Sequence, residues 1–197
     1  MTFMNLTKDQ IDPSFSKDQD FLDTLSQISD LWLKNRLPRH DLSTFRPENR
    51  DSLLTEFELN RLKQVYKDVI VCQSARVLEV TVPFPLRLKI EESLLKYFPE
   101  GVSAFTGSMW YRPGGYMTWH TNSNGTGHRM YMTYATTPNM SFFRYEDVDS
   151  GQIQTSYDVV GWQLRIFSIG RLKKFWHCVS SDTERLSLGV QIGPFGH

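Results

Sequence analysis

Hydrophobic positions recur with two different periods along this chain. From Phe15 to Asn35 the residues Phe21, Leu22, Leu25, Ile28, Leu31 and Trp32 fall at three- and four-residue steps, the spacing that gathers one apolar stripe on an α-helix. Leu37 and Pro38 close that helix, because a residue before proline is pushed out of helical conformations. A second stripe of Leu54, Phe57, Leu62, Val65 and Tyr66 predicts a helix over Leu53 to Val71. Two amphipathic helices of this kind fit cladding for a sheet better than a partner-binding pair.

After Arg76 the period changes to short β-rich runs with turn residues between them: RVLEVTV, SAFTGSMWY, GYMTWHT, HRMYMTYA, MSFFRYED, QIQTSYDV, WQLRIFSI, KFWHCVSS and RLSLGVQIG. Only Leu86 to Phe98 interrupts as a helix, entered through PFP and left at Pro99. Eight or nine short strands about ten residues apart predict a sandwich, jelly roll or barrel. The expected class is α+β, mainly β: a jelly roll with N-terminal helices packed on one outer face. Residues 1–75 are its helical N-terminal part and 76–197 its jelly-roll core, within one domain, which suits a chain of 197 residues.

Charge narrows the partners. The 22 basic and 22 acidic residues cancel, so no global field draws the protein to phosphate backbones or anionic membranes, and nucleic acid is disfavoured. No apolar run reaches membrane-spanning length and the N-terminus lacks the order of a secretory signal, so a soluble, cytoplasmic protein is expected. Cys72 and Cys178 are too few for a disulfide framework and read as buried thiols. Cys178 follows His177 on a strand and faces the opposite way, which disfavours a nucleophilic Cys–His pair.

The chemistry concentrates in YRPGGYMTWHTNSNGTGH, Tyr111 to His128. Strand alternation points His120 and Asn122 to one face and Trp119 and Thr121 to the other. His177 stands on a later strand among bulky apolar neighbours, and Arg185 and Ser187 share a face after it. A His-x-carboxylate on one strand with a distant His makes the facial triad that holds non-haem Fe(II). A planar guanidinium with a hydroxyl suits a carboxylate.

This arrangement resembles the Fe(II)/2-oxoglutarate-dependent dioxygenases over roughly Phe105 to Ile192. Their fold is a double-stranded β-helix, a jelly roll, and their entrance strand often runs Tyr-x-Pro-Gly and then His-x-Asp, where this chain has Tyr111, Pro113, Gly114, His120 and Asn122. The resemblance implies Fe(II) held by His120, Asn122 and His177. It implies 2-oxoglutarate as co-substrate, bound by Tyr111, Arg185 and Ser187, and hydroxylation or demethylation of a small molecule or peptide side chain.

Asn122 departs from the pattern, since a neutral amide compensates less of the ferrous charge. Three readings stay open: weak ligation by Asn122; a two-histidine site like that of the aspartyl/asparaginyl β-hydroxylases, with Arg129 of HRMYMTY meeting the co-substrate; or a halide site as in the halogenases, against which the bulk of Asn counts. His128 is a rival third imidazole. Alternation sets it opposite Arg129 and Tyr131, and Arg129 inward is the preferred reading. Tyr131 is the candidate catalytic side chain. Two further classes remain: a metal-free or weakly metal-binding jelly-roll module, and a cupin-like metal site without 2-oxoglutarate, which Arg185→Ala would tell apart.

Other features have plainer explanations. Most of Trp110, Tyr116, Trp119, Phe142, Phe143, Trp162 and Trp176 read as core, with Tyr111 and Tyr131 placed for a cavity. Gly170 to Lys174 reads as a solvated hairpin, and Glu146, Asp147 and Asp149 as a solvated turn. Asp158 is a weaker rival for the missing carboxylate.

Overall fold

The computed structural model describes residues 1–6, 13–43, 49–66, 72–122, 126–170 and 174–193. Among the described residues four α-helices are present: α1 Gln19–Leu33, α2 Arg50–Leu53, α3 Glu56–Val65 and α4 Phe84–Leu95. Asp18 starts α1 by accepting from the Phe21 amide, and Thr55 starts α3 by accepting from the Glu58 amide, so both orphaned N-termini are capped. The second predicted helix is therefore broken by the Thr55 cap, and its expected end at residues 67–71 lies outside the described residues. Capping at Thr55 also resets the stripe: Leu54, Leu59 and Leu62 are buried, whereas Phe57, Val65 and Tyr66 are exposed.

Among the described residues ten strands follow the chain: β1 Thr2–Asn5, β2 Arg39–Asp41, β3 Ser74–Val80, β4 Val102–His120, β5 Gly127–Ala135, β6 Ser141–Glu146, β7 Ile153–Tyr157, β8 Gly161–Ile169, β9 His177–Ser181 and β10 Arg185–Ile192. They join in the order β1-β8-β5-β10-β4-β9-β6-β7, with β3 beside β4 and β2 beside β3. The protein is a mainly β jelly roll with helices, as expected. β1 and β2 arise in the segment read as helical, where runs of three or four residues leave no usable period.

The segments SAFTGSMWY and GYMTWHT are one strand. The first half of β4 pairs with β10 and its second half with β9, so β4 carries the chain from one wall of the roll to the other. Its bend requires Gly114, at φ +80°, and Gly115, where a Cβ would lie 2.7 Å from the Arg112 carbonyl oxygen and 2.8 Å from that of Arg76.

Alternation along the strands sorts outside from inside. Met130, Met132, Leu164, Ile166, Leu186, Leu188 and Val190 form the outer core with Leu25 and Ile28 of α1 and Ile90 and Leu94 of α4. The third long helix sits apart from these: Leu59 and Leu62 of α3 pack on Tyr116, Trp119, Trp176 and Cys178 on the other wall, and the Trp119 indole N–H is donated to the Thr55 carbonyl. The residues between, Arg129, Tyr131 and Thr133 on β5, Arg165 and Phe167 on β8, and Arg185, Ser187 and Gly189 on β10, are left to the interior. No helix among the described residues is long and apolar enough to cross a membrane.

Gly115→Ala is expected to lower stability by about 1–3 kcal/mol, since the new methyl meets main chain on two sides and one strand must shift. Urea unfolding followed by tryptophan fluorescence measures it; an unchanged midpoint would show that the bend has room for a Cβ.

Candidate active site

An enclosed cavity of about 220 Å³ opens inside the roll, and its wall includes Tyr111, Met117, His120, Asn122, Arg129, Tyr131, His177 and Ser187. Seven of the eight residues predicted for the site thus meet around one space. Arg185 is the exception, since it lies off the cavity wall.

A bulge brings the histidines together. Met117 stands opposite Val179, yet His120 stands opposite His177, so β4 carries one residue more than β9 over this step. Without it Trp119 would face His177. With it Trp119 stays in the cluster beneath α3 and the two imidazoles lie 4.1 Å apart, centroid to centroid. Each imidazole is turned by the main chain: His120 Nδ1 lies 2.7 Å from the Thr118 carbonyl oxygen and His177 Nδ1 lies 3.2 Å from that of Phe175. A carbonyl can only accept, so Nδ1 carries the proton and the Nε2 lone pair is left for a metal. Burial, and then the nearness of His120, push the His177 pKa well below the ordinary histidine value, which favours the neutral, ligating form. At His120 burial acts in the same sense but is outweighed by the Cys72 sulfur and the Thr118 carbonyl, and its pKa is raised.

Asn122 donates from its amide nitrogen to the Tyr131 hydroxyl at 2.8 Å, and that hydroxyl lies 3.5 Å from His177 Nε2. The amide oxygen is then the atom Asn122 offers beside the two imidazoles. Two nitrogens and one neutral oxygen fit a ferrous ion in ligand type, with a weaker hold than a carboxylate would give. Among the described residues no group of three or more His, Cys, Asp or Glu side chains could hold a metal.

Arg129 lines the cavity on β5, 8% exposed, with its Nε buried and unpartnered. Burial lowers its pKa. His128, one residue earlier, meets the Ser168 hydroxyl at 3.2 Å instead of the cavity. Behind the wall, Asp158 accepts from Arg185 Nε at 2.7 Å and stands 2.8 Å from Arg165 Nη2, with Gln163 and Ser141 completing its shell. Asp158 is therefore an internal counter-ion and does not face the histidines. Burial alone raises its pKa, but Arg185, Arg165 and Ser141 outweigh that and hold it below the ordinary carboxylate value. Arg185 also sits 4.9 Å from the Tyr111 ring centroid, and its Nη1 is buried without a partner. Tyr111 donates its hydroxyl to the Met117 sulfur, and burial raises its pKa.

Cys72 is not the buried thiol expected. It is half-buried, with Sγ 3.6 Å from His120 Nδ1, because it precedes β3 and crosses to the end of β4. Cys178 is buried, facing away from His177 into the cluster beneath α3. Glu146 pairs with Lys63, and Asp147 accepts from the amides of Asp149 and Ser150 in a turn. Residues 171–173 of the basic run lie outside the described residues.

Met109, Thr106, Gly107 and Gly189 also line the cavity. The one with a readable signal is Gly189, which continues the Arg185 and Ser187 face of β10. A Cβ there would lie 2.9 Å from the Tyr131 ring, so glycine is what lets Tyr131 lie across β10. A larger cleft of about 730 Å³, lined by Trp32, Arg39 and Trp110, lies on the outer side of β4 and holds none of these residues.

No family model matches the chain, and no curated protein is found similar to it. Among solved structures it is similar to a Pseudomonas putida prolyl-4-hydroxylase, at 16% identity and TM-score 0.42, covering 88% of this chain and 85% of that one. It is also similar to an oxidoreductase of the 2OG-Fe(II) oxygenase family from Burkholderia pseudomallei, at 8% identity and TM-score 0.42, covering 97% and 95%.

Asp158→Asn strands two buried guanidiniums and is expected to cost about 3–5 kcal/mol at neutral pH. The native carboxylate is the stronger acid, so its contribution is complete above the unfolded pKa of about 4 and is lost as pH falls through the lowered native value. The deficit of the variant, measured by denaturant titration from pH 7 down to pH 3, should accordingly shrink below about pH 4; a deficit independent of pH would rule out a charged Asp158.

Proposed function

We propose that the protein is an Fe(II)- and 2-oxoglutarate-dependent oxygenase that hydroxylates or demethylates its substrate. The observation that carries this reading is a charge imbalance. Among the described residues the buried guanidiniums are Arg129, Arg165 and Arg185, and the one buried carboxylate is Asp158. Charges held out of water call for partners: Arg165 and Arg185 share Asp158, and a carboxylate of a 2-oxo acid supplies the partner that Arg129 lacks on the cavity wall.

Arg129 and Ser187, both on the wall, hold a carboxylate of the co-substrate, while Arg185 acts from behind Tyr111 with Asp158 fixing its position. His120, His177 and the amide oxygen of Asn122 would hold the metal, which when bound would supply the oxidation coupled to decarboxylation of the 2-oxo acid. Tyr131 orients the Asn122 amide, so that its oxygen and not its nitrogen is presented to the ion. Tyr111 and Met117 close the space to water, which strengthens every electrostatic interaction inside it.

The absence of a three-residue His, Cys, Asp or Glu cluster among the described residues favours one alternative, a jelly-roll module that binds the dianion without metal. Anaerobic Fe(II) titration with and without 2-oxoglutarate separates the two. The oxygenase reading expects the weak visible charge-transfer band only with both present, and its loss in His177→Ala. Saturable 2-oxoglutarate binding with no band at any iron concentration would establish the metal-free module.

Asn122→Asp restores a charged ligand and is expected to tighten iron about tenfold or more; unchanged affinity would remove Asn122 from the metal. Arg129→Gln is expected to weaken 2-oxoglutarate at least about tenfold, the scale of one lost charge-assisted pair. Isothermal titration calorimetry reads both.

A further inference from the structure

β3 and β4 stop pairing at Glu79 and Met109. Past that point β3 stays with β2, through Val80 opposite Arg39 and the Thr81 amide donated to the Pro38 carbonyl. β4 stays with β10, through Gly107 opposite Gly189 and Ser108 opposite Leu188. The facing edges of the two strands share no ladder among the described residues, and a groove of about 180 Å³ lies there, lined by Glu79, Thr81, Val82, Arg87, Phe105 and Ser108. Thr106 and Gly107 line both this groove and the cavity that holds the histidines. A Cβ on Gly107 would come within 3.2 Å of the Met109 methyl, so the missing side chain leaves room at the stretch of β4 that the two spaces share.

We propose that this groove binds an extended peptide that carries an acidic residue, adding as a strand along the open edge of β4 and passing one side chain over Thr106 and Gly107 into the cavity. Three features argue for that occupant. Main-chain groups on an open strand edge are satisfied by another strand, the basis of peptide recognition by β-augmentation. The cavity of about 220 Å³ is smaller than pockets that enclose whole ligands, and a 2-oxo acid within it leaves space for a single narrow group. The rest of any substrate therefore lies outside, and the groove adjoins the way in. Arg87 supplies the charge preference: its Nε is buried and unpartnered, it has no ion-pair partner among the described residues, and its guanidinium carbon sits 5.7 Å from the exposed Phe84 ring.

The docking stands on the groove alone, whereas oxidation of the docked peptide rests on the oxygenase reading. The test uses hydrogen exchange on the full chain with two pools of synthetic nine-residue peptides, randomised around a central Asp or a central Lys. Slowed exchange of the amides of residues 105–108, half-saturating at about tenfold lower concentration of the Asp pool, is expected. Arg87→Gln should remove that preference and Arg87→Glu should reverse it. No protection of residues 105–108 by either pool, or equal protection in all three proteins, would overturn the proposal. The charge-transfer band, recorded on the same samples, reports the oxygenase reading separately: protection without the band supports the groove and removes the oxygenase, and the band without protection removes the groove alone.

Discussion

Three guanidinium groups sit out of water inside a roll that offers them one carboxylate, and much of the interior is arranged around that shortage. Asp158 is fully buried and answers Arg165 and Arg185 at once, with Ser141 and Gln163 occupying its remaining lone pairs. Such a triad contributes little net stability against a well-packed apolar core, because the desolvation of each charge offsets most of the attraction. Its consequence is positional: Arg185 cannot swing toward the cavity without giving up its 2.7 Å contact with the Asp158 carboxylate. The charge that does reach the cavity wall is Arg129, whose Nε has no partner.

The histidine pair depends on a different constraint, the geometry of β4. One strand serves both walls, so its residues before the bend face β10 and those after it face β9. This puts Tyr111 and His120 into one cavity although they come from different walls. The bulge between Met117 and His120 then decides which side chain meets His177. It is held in place from outside by Trp119, fully buried in the α3 cluster with its indole N–H on the Thr55 carbonyl. The cap of a surface helix and the geometry of the histidine pair are therefore mechanically linked, through a residue that does not line the cavity.

Period and alternation made the roll legible, together with the placement of Arg129, Tyr131, His177 and Ser187, because each of those depends only on which face of a strand a residue occupies. What sequence hid depends on partners distant along the chain. Arg185 falls on the right face of β10 for a ligand contact, yet its destination is set by Asp158, which comes from the end of another strand. Cys72 lies in no recognisable motif and meets His120 only because β3 runs beside β4. The second helix failed for a local reason that was in fact written in the residues: Thr55 followed by Glu58 is a cap, and it overrides the longer apolar stripe that Phe57 and Val65 suggested.

Glycine at three interior-facing positions connects the charge constraint to the geometry. Gly189 lets the Tyr131 ring lie across β10, and that ring places the hydroxyl which takes the Asn122 amide proton. Fixing Asn122 in this way matters more than it would for an aspartate, whose two oxygens are equivalent. An amide presents oxygen in one orientation and a repelling N–H in the other, so a site that relies on Asn122 needs a hydroxyl acceptor to choose between them. Gly107 and Gly115 do the corresponding work on β4, one leaving room for the Met109 side chain and the other allowing the bend that brings β4 round to β9. The departure from a carboxylate at residue 122 is thus matched by a neighbour that compensates for it in orientation, though not in charge, while the one buried guanidinium without a carboxylate partner among the described residues, Arg129, stands on the same cavity wall.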